Sequence, residues 1–171
     1  MKALWLLRHA KSSWDDPSVD DHDRPLAPRG RRDAERVAGY LAQSAPGPSL
    51  VLCSSALRTR ETWAPISRQL TPCPRVRIER ELYLAGAETL LARLARVAAR
   101  EGPLLVIGHN PGLHELAVRL AVQGEAGELA RLRAKLPTAA LVRLELDVAR
   151  WRDLEPGCGR LVELRRPRDP A

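Results

Sequence analysis

The sequence predicts a single α/β domain built as a three-layer α/β/α sandwich, with a mostly parallel central sheet and an antiparallel edge. Three short, almost wholly apolar runs predict buried strands at residues 3–7, 50–53 and 104–107. Helical periods of apolar residues alternate with these runs, which is typical of a parallel sheet covered on both faces. The length of 171 residues agrees with one domain, residues 1–171.

The remaining elements follow from the same periodicities. Amphipathic helical spacing lies at residues 34–41, 63–70, 90–98 and 113–120. Two further strands, predicted at residues 139–146 and 161–164, have no helix between them, which favours antiparallel pairing. The last segment, residues 165–171, contains two prolines and three arginines and predicts a loose tail.

One predicted connection is much longer than the others. From Arg8 to about Pro28 the sequence has neither helical nor strand periodicity, whereas strand-to-helix loops usually take about 2–6 residues. Loops of this length in a compact domain are usually functional. The loop holds an acidic run at residues 15–23 and Trp14. The run is interpreted as solvated loop because no Asp-x-Asp follows an apolar strand, and Trp14 either lines a substrate mouth or is merely exposed.

Charge and aromatic content argue against a nucleic-acid-binding protein. The net charge is +7, but in the amino-terminal half an acidic run stands just before the basic cluster, so the basic residues form no uninterrupted tail. The chain has no Phe, four Trp and two Tyr, which leaves little surface for stacking bases. We therefore expect no nucleic-acid partner.

Hydropathy and cysteine content indicate in which cellular compartment the protein is expected. No apolar run approaches the length of a membrane span, and the run at residues 3–7 is too short for a secretory signal. The three cysteines form no Cys-x-x-Cys pair, which argues against a disulfide framework and a zinc ribbon. We expect a cytoplasmic protein with no membrane partner.

Each predicted parallel strand is followed by charged or reactive side chains. Arg8 and His9 follow the first strand, Arg58 lies shortly after the second, and His109 comes directly after the third. Because the carboxyl ends of parallel strands lie along one edge of a sheet, where ligands bind, we expect these four side chains to converge.

Two imidazoles and several guanidiniums point to phosphoryl chemistry. Arginine presents a planar fork of donors that matches a phosphate group. A histidine beside arginines is pushed towards its neutral, nucleophilic form. Such a histidine can accept a phosphoryl group while the cations neutralise its oxygens, so the sequence predicts an enzyme that needs no metal and no cofactor.

The order and spacing of four motifs resemble those of the histidine phosphatase (phosphoglycerate mutase-like) superfamily. The short length and the Arg-Pro-Leu sequence look most like its small bacterial branch, the phosphohistidine phosphatases of the SixA type. The resemblance extends from Leu4 to about Leu146. The motifs are Arg8-His9-Ala10, Arg24-Pro25-Leu26 with Arg29-Gly30, Ser54-x-x-x-Arg58-x-x-x-Thr62, and Gly108-His109-Asn110-Pro111.

The resemblance implies a phosphoglycerate mutase-like fold and assigns roles to individual residues. His9 would be the phosphorylated nucleophile. Arg8 and Arg58 would bind the transferred phosphoryl group, and His109 would be the second catalytic histidine, which holds a phosphoryl oxygen. Arg24 would add a phosphate contact from the long loop, unless it pairs instead with the neighbouring aspartates.

The sequence departs from the superfamily pattern at two places. Ala10 stands where the superfamily usually has glycine, which bears on the conformation of that turn. Many members also carry a glutamate that protonates the leaving oxygen. Glu81 is the nearest positional candidate, but its surrounding motif is missing and the small branch typically lacks this acid. His22 and His114 are interpreted as a loop residue and a helix-flank residue.

The substrate stays open at this point. A phosphohistidine protein is favoured, and the alternatives are a broad small-molecule phosphomonoesterase, a phosphoglycerate mutase-like enzyme, or a protein that binds phosphate or nucleic acid without turnover. Mutases of the superfamily are longer than this chain. The sequence does not indicate the oligomeric state.

Overall fold

A seven-stranded mixed sheet forms the centre of the protein in the computed structural model, which describes residues 1–169. The strands are β1 (Lys2–Arg8), β2 (Leu50–Ser54), β3 (Arg75–Glu79), β4 (Leu104–Gly108), β5 (Ala121–Gln123), β6 (Leu141–Leu146) and β7 (Gly159–Arg165). Their order across the sheet is β3-β2-β4-β1-β6-β7-β5.

The parallel half of the sheet contains the three apolar runs seen in the sequence. Strands β1, β2 and β4 pair in parallel, and their interior residues are buried because helices cover both faces. Strand β6 pairs antiparallel with β1, and β7 pairs antiparallel with β6. The predicted antiparallel pairing is confirmed. The strand at the margin, however, is β5, which pairs in parallel with β7.

Five helices cover the two faces of the sheet. They are α1 (Pro28–Gln43), α2 (Leu57–Gln69), α3 (Ala87–Ala95), α4 (Gly112–Leu120) and α5 (Ala126–Ala134). Helices α1 and α2 share one apolar cluster with the sheet, and α3, α4 and α5 share another on the opposite face. The three-layer α/β/α architecture is therefore confirmed. None of the helices in residues 1–169 is long and apolar enough to cross a membrane.

Several elements differ from the sequence prediction. Strand β3 was not predicted because it has no continuous apolar run. Val76 and Ile78 alternate with charged residues, and both are exposed. Strand β5 has three residues, and α5 buries only Leu129 and Leu132. Helix α2 begins at Leu57, well before the apolar positions that predicted it.

The carboxyl-terminal segment is more ordered than predicted over its first residues. Arg165 is the last residue of β7. The backbone N–H of Arg166 donates to the Asp169 carboxylate at 2.8 Å, and the same carboxylate lies 3.5 Å from Arg131 of α5. The other two residues of the predicted tail, Pro170 and Ala171, lie outside the described residues.

The long connection between β1 and α1 is tied down along its length. A short 3₁₀ helix spans Asp21–Asp23. Ser12 and Leu26 form an isolated antiparallel bridge, and the N–H of Ala27 donates to the carbonyl of Lys11 at 2.9 Å. The connection therefore folds back along the edge of the sheet where β1 ends.

Candidate active site

The carboxyl ends of the parallel strands bring the predicted site residues together. Arg8 is the last residue of β1 and His9 follows it, Arg58 lies in the first turn of α2, and His109 directly follows β4. The ring centroids of His9 and His109 are 5.3 Å apart. Both imidazoles are buried, with exposed fractions of 7% and 2%.

His9 has one available nitrogen lone pair. Its Nδ1 lies 2.8 Å from the carbonyl oxygen of Ala10, and since a carbonyl only accepts, the proton is on Nδ1 and the lone pair on Nε2. Burial lowers the pKa of His9 to about 4, against the opposing effect of the Ala10 hydrogen bond. The charges of Arg58, Arg8 and Arg24 add to this lowering. At neutral pH the ring is therefore neutral.

His109 is held between a hydroxyl and a guanidinium. Its Nε2 lies 2.7 Å from Ser54 Oγ, and its Nδ1 lies 3.4 Å from an Nη atom of Arg58. Because a guanidinium only donates, Nδ1 accepts and Nε2–H donates to Ser54. Burial lowers the pKa of His109 to about 3, with further lowering by His9 and Arg58.

Buried guanidinium donors surround the two imidazoles. Among residues 1–169, the buried nitrogens without a hydrogen-bond partner include Nε of Arg8, Nε of Arg58 and Nη1 of Arg24. Arg8 is oriented by a hydrogen bond from Nη1 to the Leu136 carbonyl at 3.0 Å. Burial, and then the charge of Arg58, lower the pKa of Arg8. Unsatisfied donors on buried cations are the arrangement that binds an oxyanion.

Arg24 makes the ion pair that the sequence offered as one of two alternatives. Its Nε lies 3.2 Å from the Asp21 carboxylate, so it does pair with the acidic run. Its charge also contributes to lowering the pKa of His9. The exposed ring of Trp14 stacks on its guanidinium, with the Arg24 Cζ atom 3.3 Å from the ring centroid. Trp14 therefore lies at the margin of the site.

A second group of side chains meets the site from loops, at two residues to which the sequence analysis gave no role of their own. The Asp21 carboxylate accepts hydrogen bonds from Arg58 at 3.0 Å and from the Tyr83 hydroxyl at 2.5 Å. Partial burial opposes ionisation of Asp21, but the Tyr83 hydrogen bond and Arg58 outweigh it and lower the pKa of this carboxyl. The Tyr83 ring stands edge-on to His109 at 5.5 Å.

Thr62, the last residue of the motif that begins at Ser54, holds the backbone at Ala10. The N–H of Ala10 donates to Thr62 Oγ1 at 3.0 Å, and Thr62 Oγ1 donates to the Arg58 carbonyl at 2.6 Å. Among the non-glycine residues in the described part of the chain, only Leu84 and Ala139 have positive φ. Alanine at position 10 is therefore compatible with this turn.

Glu81 does not face the two imidazoles with a free carboxyl group. Its carboxylate accepts from Arg96 at 2.6 Å and lies 3.2 Å from Arg93. The hydrogen bond from Arg96 is the main cause of the lowered pKa of Glu81, which is the wrong direction for a proton donor at neutral pH.

The other two histidines make ordinary polar contacts. His114 on α4 lies 2.6 Å from the Leu132 carbonyl. His22 bonds to Ser55 Oγ through Nε2 and to the Asp23 carboxylate through Nδ1, both at 2.9 Å. Within residues 1–169, no group of three or more His, Cys, Asp or Glu side chains is placed to hold a metal ion.

Two glycines let helices α1 and α4 pack directly against the backbone of neighbouring loops. A Cβ atom at Gly30, in the first turn of α1, would lie 2.0 Å from the Lys11 carbonyl oxygen. One at Gly112, in the first turn of α4, would lie 1.9 Å from the Ala85 carbonyl oxygen. Only glycine permits helices to approach these loops so closely.

Comparisons with known proteins agree with this geometry. The model of the histidine phosphatase superfamily (branch 1) matches residues 4–83. An uncharacterized protein of Mycobacterium tuberculosis is 39% identical over 164 residues, which cover 95% of this chain and 100% of the relative.

Solved structures extend the similarity over the whole chain. A Nakamurella multipartitia protein named as a phosphohistidine phosphatase SixA is 30% identical with a TM-score of 0.83, covering 98% of this chain and 97% of its own. An Agrobacterium tumefaciens protein with the same name is 28% identical with a TM-score of 0.80, covering 97% of this chain and 98% of its own. The resemblance seen in the motifs is confirmed. This chain belongs to the histidine phosphatase superfamily and is of the SixA type.

Proposed function

We propose that the protein is a metal-independent phosphatase that hydrolyses protein phosphohistidine through a phosphohistidine intermediate on His9. One observation carries the proposal: a buried, neutral imidazole with its lone pair on Nε2 lies among guanidiniums whose donors are unsatisfied. Phosphoryl transfer needs mainly a positioned nucleophile and neutralisation of the phosphoryl oxygens. The names of the two SixA-type relatives support phosphohistidine as the substrate.

In the first step His9 Nε2 attacks phosphorus. The new N–P bond forms as the bond from phosphorus to the substrate imidazole breaks, and the leaving nitrogen takes a proton from solvent. Arg8, Arg58 and Arg24 bind the phosphoryl oxygens. The proton on His9 Nδ1 stays hydrogen-bonded to the Ala10 carbonyl, so the phosphorylated ring is cationic.

His109 binds a phosphoryl oxygen through Nδ1 in this proposal. The bound dianion favours the imidazolium form, in which Nδ1 takes a proton from solvent. This form donates from Nδ1 to the phosphoryl group and from Nε2 to Ser54 Oγ. The hydrogen-bond distance of 2.7 Å between Nε2 and Ser54 supports this orientation of the ring.

In the second step water attacks the phosphorus of the intermediate. The N–P bond breaks and its electron pair returns to His9 Nε2. Because the ring is cationic before this step, it leaves as a neutral imidazole, and dihydrogen phosphate is released. Splitting the hydrolysis into two steps replaces one difficult displacement with two easier ones.

The state of the carboxylates near the site favours hydrolysis of a phosphorus–nitrogen bond over hydrolysis of a phosphorus–oxygen bond. An alkoxide leaves slowly without a proton donor, a contribution typically worth about 10²–10⁴ in rate. An imidazole has a conjugate-acid pKa of about 6.5 and leaves readily once solvent protonates it. Asp21 and Glu81 both have lowered pKa values and are bound by arginines, so neither is suited to donate a proton.

The test compares kcat/KM for a phosphohistidine peptide and a phosphoserine peptide of the same sequence. We expect a preference of about 100-fold or more for phosphohistidine, because serine phosphate needs the missing acid. Glu81→Gln should leave both rates unchanged. Glu79→Gln is the matched control, since Glu79 binds the same Arg93 guanidinium at 2.6 Å.

Two outcomes would replace the proposal. Equal hydrolysis of both peptides, with the phosphoserine activity lost in Glu81→Gln but kept in Glu79→Gln, would establish Glu81 as an acid and a broad phosphomonoesterase. Phosphate binding without phosphate release from either peptide would indicate a binding protein.

A further inference from the structure

A large cleft lies on the α1 side of the sheet, between α1, β6 and the segment after β7. Its volume is about 970 Å³. Five arginines contribute to its lining, against one acidic residue, Asp169. We call it the basic cleft, and its arginines are Arg36, Arg143, Arg165, Arg166 and Arg168.

Carboxylates balance only part of the positive charge of the basic cleft, where Arg36 pairs with Asp33 at 3.4 Å and Arg165 with Glu163 at 3.9 Å. Asp169 is bound by the N–H of Arg166 at 2.8 Å and lies 3.5 Å from Arg131 of α5. In residues 1–169, the buried nitrogens without a hydrogen-bond partner include Nε of Arg143 and Nε of Arg166. A buried donor without a partner carries a desolvation cost, so these nitrogens favour binding of an acceptor from another molecule.

One residue connects the basic cleft to the candidate active site. Ala139 lines the cleft, and its N–H donates to the carbonyl oxygens of Arg8 at 3.0 Å and His9 at 3.1 Å. A molecule that fills the cleft therefore contacts a residue that is hydrogen-bonded to the end of β1.

We propose that the basic cleft docks an acidic segment of the protein that carries the phosphohistidine. This inference rests on the proposed function and adds a determinant of its substrate choice. The guanidiniums come from α1, β6 and the segment around the end of β7, so they are spread for several carboxylates and not for one phosphate. Charge complementarity of this kind selects partners and speeds their association.

The aromatic side chain in the cleft argues for a peptide over a nucleic acid. Tyr40 lines the cleft, but Arg165 lies over its ring at 4.2 Å and its hydroxyl donates to Glu163. The ring is therefore covered on a face that a base would need for stacking.

A binding experiment tests the cleft without any turnover. The probes are a fluorescein-labelled glutamate-rich peptide and its counterpart with glutamine in place of glutamate, followed by anisotropy at low salt. We expect the wild-type protein to bind the acidic peptide and the variant Arg36→Glu/Arg168→Glu to lose about tenfold in affinity. Arg133→Glu/Arg152→Glu makes the same charge change at two exposed positions outside the cleft and should bind like the wild type.

Arg36 also pairs with the buried carboxylate of Asp33 at 3.4 Å, so charge reversal there has a structural cost. The milder variant Arg36→Gln/Arg168→Gln guards against this effect, and it should show a smaller loss in the same direction. Equal binding of the acidic and glutamine peptides, or equal losses in the cleft and control variants, would overturn the proposal. A single-stranded oligonucleotide that binds more tightly than the acidic peptide, and only when the cleft is intact, would assign the cleft to nucleic acid.

A kinetic experiment links the cleft to the reaction. Phosphohistidine peptides carrying either extension are compared with phosphoramidate, a substrate too small to reach the cleft. The cleft variant should lose the preference for the acidic extension and keep its rate on phosphoramidate. If no phosphohistidine substrate is hydrolysed while the acidic peptide still binds, the proposed function fails and the docking site stands.

Discussion

Asp21 engages both terminal nitrogens of Arg58: its backbone carbonyl accepts from Nη1 at 2.5 Å, and its carboxylate accepts from Nη2 at 3.0 Å. The same Nη2 atom lies 3.4 Å from His109 Nδ1. The acidic loop thus reaches the second imidazole through a single guanidinium. An internal carboxylate occupies donors that an incoming phosphoryl group would use.

Replacing Asp21 with Asn should strengthen phosphate binding. The substitution removes a negative charge from Arg58 and Arg24 but leaves the backbone contact of residue 21 in place. We expect the inhibition constant of inorganic phosphate to fall about fivefold. Asp23→Asn is the matched control, because Asp23 pairs with His22. Weaker phosphate binding in Asp21→Asn would instead mean that the carboxylate acts by orienting Arg58.

A covalent intermediate should form on His9. Mixing the protein with a labelled phosphohistidine peptide and quenching in alkali should leave acid-labile label on the fragment that contains residues 7–11. His9→Ala should lose the label and about 10⁴-fold or more in kcat, because the nucleophile is gone. His22→Ala, which alters a histidine in a neighbouring loop, serves as the comparison and should retain the label. Label on any other residue would refute the assignment.

The imidazole of His9 should titrate far below the ordinary range. In the proposed mechanism its neutral form is the nucleophile and exists above its pKa, so lowering that pKa to about 4 keeps the ring neutral throughout the mildly acidic range. We expect an NMR midpoint near 4 in the free protein, assigned by its absence in His9→Ala. Arg58→Gln removes a charge that lowers this pKa, and should move the midpoint upwards. A midpoint at the ordinary value of about 6.5 would contradict the buried, cation-flanked environment.

Removing the hydroxyl at position 54 should slow the chemical step. Ser54 Oγ accepts from His109 Nε2, and hydrogen bonds to charged groups are typically worth about 1.5–3 kcal/mol. Ser54→Ala should therefore lower kcat by roughly 10- to 100-fold with a smaller change in KM. Ser55→Ala removes a hydroxyl that contacts His22 and should remain active. Equal rates in the two variants would show that His109 needs no such orientation.

Activity should persist without divalent cations. In the proposed mechanism the guanidiniums of Arg8, Arg24 and Arg58 supply the positive charge that Mg²⁺ provides in other phosphoryl-transfer sites. Turnover should be unaffected by EDTA, and vanadate should inhibit because it can adopt the five-coordinate geometry of the transition state. Loss of turnover in EDTA with recovery on adding Mg²⁺ would direct attention to the aspartates of the long loop.

The parallel half of the sheet and the site histidines could be predicted from the sequence for a physical reason. Strands buried on both faces must be apolar throughout, so β1, β2 and β4 stand out, and the charged residues after them contrast sharply with these runs. Parallel packing then places those residues at one edge, which is where His9 and His109 meet.

The contacts made by loops could not be predicted from the sequence in the same way. Tyr83 and Asp21 are 62 positions apart and meet through one hydrogen bond, which no local periodicity can report. Strand β3 lacks the apolar signal because its side chains are mostly exposed. Glu81 illustrates the reverse case, since its position in the sequence suggested an acid while its carboxylate is bound by Arg96 and Arg93.

The contacts of Gly30 and Gly112 bear on how the loops of the candidate site are held in place. Each glycine lets the first turn of a helix rest directly on backbone, at Lys11 beyond His9 and at Ala85 beside the loop of His109. The loops that carry the two imidazoles, whose ring centroids lie 5.3 Å apart, thus rest on direct backbone contacts. In the proposed mechanism, groups that are already positioned need little reorganisation during the reaction. Two residues without side chains therefore contribute to the preorganisation of the proposed site.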